Sequence, residues 1–89
     1  MKSHTTARFR DALEVLPKEV QEQARKAYEL FLRDPHHRSL RFKQVHPTRP
    51  IYSVRISVDY RALGVREGET IIWFWIGSHA DYDHLVSGI

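Results

Sequence analysis

Ile72-Trp73-Phe74-Trp75-Ile76-Gly77-Ser78-His79-Ala80-Asp81-Tyr82-Asp83 runs from five consecutive apolar residues straight into a cluster of ionisable side chains. An apolar run of this length, aromatic and β-branched throughout, reads as a strand covered on both faces. Gly77 is expected to end it by letting the chain turn sharply. On such a strand Trp73 and Trp75 fall on one face, where core packing outweighs base stacking as their expected role. His79 then emerges at the rim of a rigid sheet. Imidazole titrates near neutral pH, so a histidine fixed there can give or take a proton; the competing reading is a surface-loop histidine with no chemical task.

Upstream the pattern is helical. Phe9, Leu13 and Leu16 recur at i, i+4 and i+7, with Thr5 or Thr6 as the expected cap. Pro17 restarts the chain at a helical first position with Glu19 in the first turn. Val20, Ala24, Ala27, Tyr28 and Phe31 form one apolar stripe, and Asp34-Pro35 stops the helix. After His36-His37 the period changes to two. Leu40 and Phe42 alternate with Arg41 and Lys43, and Tyr52, Val54, Ile56 and Val58 with Ser53, Arg55 and Ser57. A further strand over residues 60–66 turns through Glu67-Gly68-Glu69 into the apolar one. The fold class is therefore α+β: two N-terminal helices packed on one face of a mostly antiparallel, twisted sheet of about four strands, with a short C-terminal helical turn.

With 89 residues the chain is expected to form one domain around one modest core. The net charge is only +3, yet between Arg33 and Arg66 eight Arg or Lys residues stand against two acids, a segment suited to phosphates or to an acidic partner. In register, Arg41, Lys43, Arg55 and Arg61 would converge on the sheet face that the helices leave open, with His79 at its edge. Cysteine is absent, which rules out disulfides and thiolate chemistry. Neither a signal-peptide h-region nor a span long enough to cross a bilayer is present, so a cytoplasmic protein without membrane contact is expected. His79-Ala80-Asp81 with His84, or His36-His37 with His46, match no recognised metal-ligand spacing.

Leu40-Arg41-Phe42-Lys43, Tyr52-Ser53-Val54-Arg55-Ile56, Asp59-Tyr60-Arg61-Ala62-Leu63 and Ile76-Gly77-Ser78-His79-Ala80-Asp81-Tyr82-Asp83, in that order after two helices, resemble the RelE/ParE superfamily of toxins from type II toxin–antitoxin systems. The resemblance covers nearly the whole chain. It implies a ribosome-dependent mRNA endonuclease that needs no metal or other cofactor, partnered by ribosome-bound mRNA and by a cognate antitoxin in a hetero-oligomer. The ParE-like branch, which inhibits DNA gyrase, is the alternative, as is a degenerate member that survives only bound to antitoxin. Tyr60-Arg61 matches the RelE-type pair whose arginine contacts the scissile phosphate, and Arg55 a basic position on the preceding strand. Gly77-Ser78-His79 matches the strand end of the YafQ-like branch, whose histidine takes part in proton transfer. The implied roles are His79 as general acid, Arg61 and Arg55 on the phosphorane, and Arg41, Lys43 and the late tyrosine Tyr82 on RNA. The general base stays open among Asp81, Asp59, Tyr82 and His46, with ribosomal RNA or water as further acceptors.

Overall fold

The computed structural model describes residues 1–88. Strand β1 (Lys2–Thr5) leads into helices α1 (Ala7–Glu14) and α2 (Lys18–Arg33). A single 3₁₀ turn (Arg38–Leu40) precedes β2 (Lys43–Gln44), β3 (Ile51–Ser57), β4 (Tyr60–Glu67) and β5 (Thr70–Ser78), and α3 (His79–Ser87) closes the described chain. The sheet has five strands in the order β1-β5-β4-β3-β2. The α+β class and the antiparallel β2 to β5 array are those expected from the sequence.

The helix boundaries have local causes. Thr6 caps α1, its hydroxyl accepting the Phe9 N–H at 3.1 Å. The helix ends at Glu14, so Leu16 packs from the connection instead of from a third turn. Pro17, extended at φ −53° and ψ 146°, stands one place before the helical first position as the cap of α2. Both helices cover one face of the sheet. There Phe9, Ala24, Ala27 and Phe31 meet Val54, Ala62, Ile71, Trp73 and Ile76 in one core, with Phe31 edge-on to Trp73 at 5.3 Å.

Several expectations are corrected. The N-terminal residues form a strand, β1, which pairs in parallel with β5 from Lys2 opposite Thr70 to Thr5 opposite Trp73. Lys2-Ser3-His4-Thr5 carries no apolar alternation; a polar edge strand is specified by its partner, not by its own pattern. The stretch from Leu40 to Lys43 is strand only at its end, because Arg38–Leu40 coil into a 3₁₀ turn and Arg41 takes a left-handed conformation, φ 47° and ψ 41°. Gly77 does not end β5: it lies within the strand opposite Arg61. Its lack of a side chain serves packing, since a Cβ there would stand 2.6 Å from the Trp75 indole. Finally, β5 carries a bulge. Leu63 pairs with Trp75 but the next residue, Gly64, pairs with Trp73, leaving Phe74 as the extra residue. The bulge shifts the phase by one residue, so Trp73 enters the helix-covered core while Trp75 turns to the opposite face.

Candidate active site on the second sheet face

Two parallel rows cross β3, β4 and β5 on the face away from α1 and α2. The first is Ser53, Leu63 and Trp75; the second, one step toward the β3–β4 turn, is Arg55, Arg61 and Gly77. The C-terminal segment, expected as a turn, is a nine-residue helix that lies over the first row. Ser78 caps it, its hydroxyl accepting the Asp81 N–H at 3.1 Å. Tyr82 anchors it: only 8 % exposed, it donates its phenolic hydrogen to Ser53 Oγ at 3.0 Å, and Ser53 is itself 2 % exposed. Tyr82→Phe should therefore leave the Ser53 hydroxyl buried without its partner and cost about 1 to 3 kcal/mol. A urea denaturation midpoint unchanged from wild type would contradict that role.

The second row is half-buried and carries the charged side chains. Arg55 and Arg61 stand directly opposite each other, a placement in which Cβ atoms are about 5 Å apart and like charges repel. Arg61 is partly immobilised by the turn beside it. Its Nη1 donates to the carbonyls of Ser57 at 2.5 Å and Tyr60 at 2.9 Å. The Nε–Nη2 edge, the one that grips two oxygens of an anion at once, has no protein partner among the described residues. Burial, and after it the charge of Arg55, draws the Arg61 guanidinium below its ordinary value. Arg41 adds in the same sense, while Tyr82 and Asp83 oppose it. The group stays charged regardless, because a guanidinium does not lose its proton in a protein.

His79 is the first residue of α3. Its backbone N–H donates to the Asp59 carbonyl at 2.7 Å, tying the helix start to the β3–β4 turn that also holds Arg61. Its Nδ1 lies 2.9 Å from Asp83 Oδ2, and its ring meets Tyr82 edge-on at 5.9 Å. The imidazole is therefore held on two sides while its side chain remains 43 % exposed. Asp83 was not among the residues singled out from sequence; the signal available was its spacing of four from His79 once residues 79–87 are read as helix.

The structure thus brings together Arg55, Arg61, His79 and Asp83, with Arg41 near enough to act on Arg61. Lys43, exposed on β2, pairs with Ser53 and so adjoins the first row. Asp81 is exposed in the first turn of α3 and makes no bond to His79. Tyr82 is corrected from an RNA contact to a buried anchor. His46 is removed from the site altogether. It lies in the β2–β3 loop at the other end of the sheet, its Nδ1 accepting the N–H groups of Thr48 at 3.1 Å and Arg49 at 2.9 Å. His36 lies against Phe42, and His37 caps the 3₁₀ turn. Among the described residues no group of three or more His, Asp or Glu is placed to hold a metal ion.

Residues 18–84 match the ParE-like toxin domain, which is most of the chain. The chain belongs to the ParE-like toxin domain family. It is accordingly a toxin domain of the RelE/ParE superfamily. Solved structures share the fold at low identity. YafQ from E. coli superposes with a TM-score of 0.71 at 8 % identity, over 91 % of this chain and 96 % of that one. The YoeB/ParE toxin from Agrobacterium tumefaciens gives 0.68 at 16 % identity, over 89 % and 99 %. The RelB–RelE antitoxin–toxin complex from Methanococcus jannaschii also gives 0.68, at 18 % identity, over 91 % and 96 %. No curated protein matches the sequence. No helix among the described residues is long and apolar enough to cross a membrane.

Proposed function

We propose that this ParE-like domain is a ribosome-dependent mRNA endonuclease, held silent by a cognate antitoxin in a hetero-oligomer. The observation that carries the reading is the second row: two arginines set directly opposite each other, against their mutual repulsion, beside a histidine whose ring is fixed. Like charges so placed are relieved when a polyanion sits between them. RNA supplies both that anion and its own nucleophile, the 2′-hydroxyl.

In the proposed reaction the 2′-oxygen attacks the adjacent phosphorus, and the bond from phosphorus to the 5′-oxygen breaks. Arg61, through its Nε–Nη2 edge, and Arg55 neutralise the charge gathering on the non-bridging oxygens. His79 gives its proton to the departing 5′-oxygen. Asp81 and Asp59 are the exposed carboxylates beside the site left to accept the 2′-proton, directly or through water. Arg41 and Lys43 hold flanking phosphates or ribosomal RNA. The fold shared with the RelE of the RelB–RelE complex supports a protein antitoxin as partner.

The match to a family named for ParE favours one other reading, a non-enzymatic inhibitor of DNA gyrase acting through the same face. End analysis separates the two. Ribosome-bound message incubated with the purified domain should yield a cyclic phosphate and a 5′-hydroxyl, and should do so in chelator when ribosome integrity is maintained. No cut message, with gyrase supercoiling inhibited instead, would establish the second reading and remove the first.

A further inference from the structure

We infer that Asp83 is a positioning residue for His79, fixing the ring so that Nδ1 is the nitrogen turned away from substrate and Nε2 the one that handles the proton. The inference rests on the endonuclease reading above and deepens it.

The 2.9 Å contact between His79 Nδ1 and Asp83 Oδ2 has a geometric consequence. A carboxylate only accepts, so Nδ1 carries hydrogen in both protonation states of the ring. All change of protonation is then confined to Nε2. When Nε2 delivers its proton to the 5′-oxygen, the ring is left as the Nδ1–H tautomer already held by Asp83, and no second proton has to move.

Helix stability does not account for the pair. The partners are 43 % and 62 % exposed, where an ion pair contributes little. Their order is also the unfavourable one, since the imidazole stands at the start of α3, where the helix dipole disfavours positive charge, and the acid follows it. Nor does anion binding account for it: a carboxylate close enough to act on Arg61 opposes an incoming phosphate. Orienting an imidazole is the task that needs a carboxylate in that place. Tyr82 also meets the ring, edge-on at 5.9 Å, and is itself locked to Ser53. Together the two contacts fix both the tilt of the ring and its tautomer.

Asp83→Asn tests this, because the amide keeps the shape but can turn its NH₂ toward Nδ1 and favour the wrong tautomer. Long-range ¹H–¹⁵N spectra of wild-type domain should show His79 as the Nδ1–H tautomer, and D83N should show that signature lost. In single-turnover cleavage of ribosome-bound message D83N should lower the rate constant roughly 10- to 100-fold, a part of the about 10²- to 10⁴-fold that a positioned general acid contributes. KM and the melting temperature should stay within error of wild type. A wild-type ring found as Nε2–H, or a D83N variant with tautomer and rate constant both unchanged, overturns the inference. If wild-type domain cuts no message, the endonuclease reading falls on its own. The spectra then still decide whether Asp83 holds the ring: loss of the Nδ1–H signature in D83N upholds it, and retention refutes it.

Discussion

His79→Gln should slow cleavage of ribosome-bound message by about 10²- to 10⁴-fold, equivalent to about 3 to 5 kcal/mol of barrier, while the domain melts as wild type does. The side chain is 43 % exposed and its ionic partner among the described residues, Asp83, is 62 % exposed, so removing the ring takes little from the folded state. The contact that ties α3 to the β3–β4 turn is made by the backbone N–H of residue 79, which the substitution keeps. Glutamine retains a hydrogen-bonding end but cannot deliver a proton. Measured together, single-turnover rate and thermal melting therefore separate chemistry from folding. A folded His79→Gln domain that cuts at the wild-type rate would eliminate His79 as the acid and leave the two arginines as a binding surface only.

Trp73→Ala should act on the other quantity, lowering stability by about 3 to 5 kcal/mol and taking toxicity and antitoxin capture away together. Trp73 is 3 % exposed and joins three parts of the molecule. Its ring stands edge-on to Phe31 of α2 at 5.3 Å, its Nε1–H donates to Ser3 Oγ of β1 at 3.0 Å, and its six-membered ring occupies the space that a Cβ on Gly64 would need, 2.8 Å away. Truncation leaves a cavity beneath α2 and releases β1 from the hydroxyl contact that supplements its backbone pairing. Domains of this size are stabilised by roughly 5 to 15 kcal/mol in all, so a loss of this order removes a large share. Urea denaturation of the purified variant measures it directly. A loss below about 1 kcal/mol would mean that Trp73 does not pack as the structure has it. The neighbouring Trp75, which the bulge at Phe74 sends to the opposite face, is outside this core, and the two tryptophans should not behave alike.

The sequence by itself determined the elements whose signals are local. Helical spacing from Phe9 and from Val20, the period-two runs through Tyr52 and Ile56, and the turn at Glu67-Gly68-Glu69 each carry their own periodicity or turn chemistry, so the α+β class was legible before any contact was known. The residue types of the candidate site were legible in the same way, because a cationic middle segment and a histidine after an apolar strand are features of order along the chain. What tertiary structure alone decided is whatever depends on a partner distant in sequence. β1 exists because β5 offers it a parallel edge, although Lys2-Ser3-His4-Thr5 has no pattern of its own. Arg55 opposes Arg61 only through the β3–β4 register, and the burial of Arg61 together with that opposition, not the count of arginines, sets the electrostatics of the site. A single extra residue in β5 reverses the facing of Trp75, which strict alternation cannot foresee. Tyr82 turned inward because Ser53 offered a buried hydroxyl across 29 residues of chain. Asp83, rather than Asp81, became the partner of His79 because residues 79–87 closed into a helix, where positions four apart meet and positions two apart point away from each other.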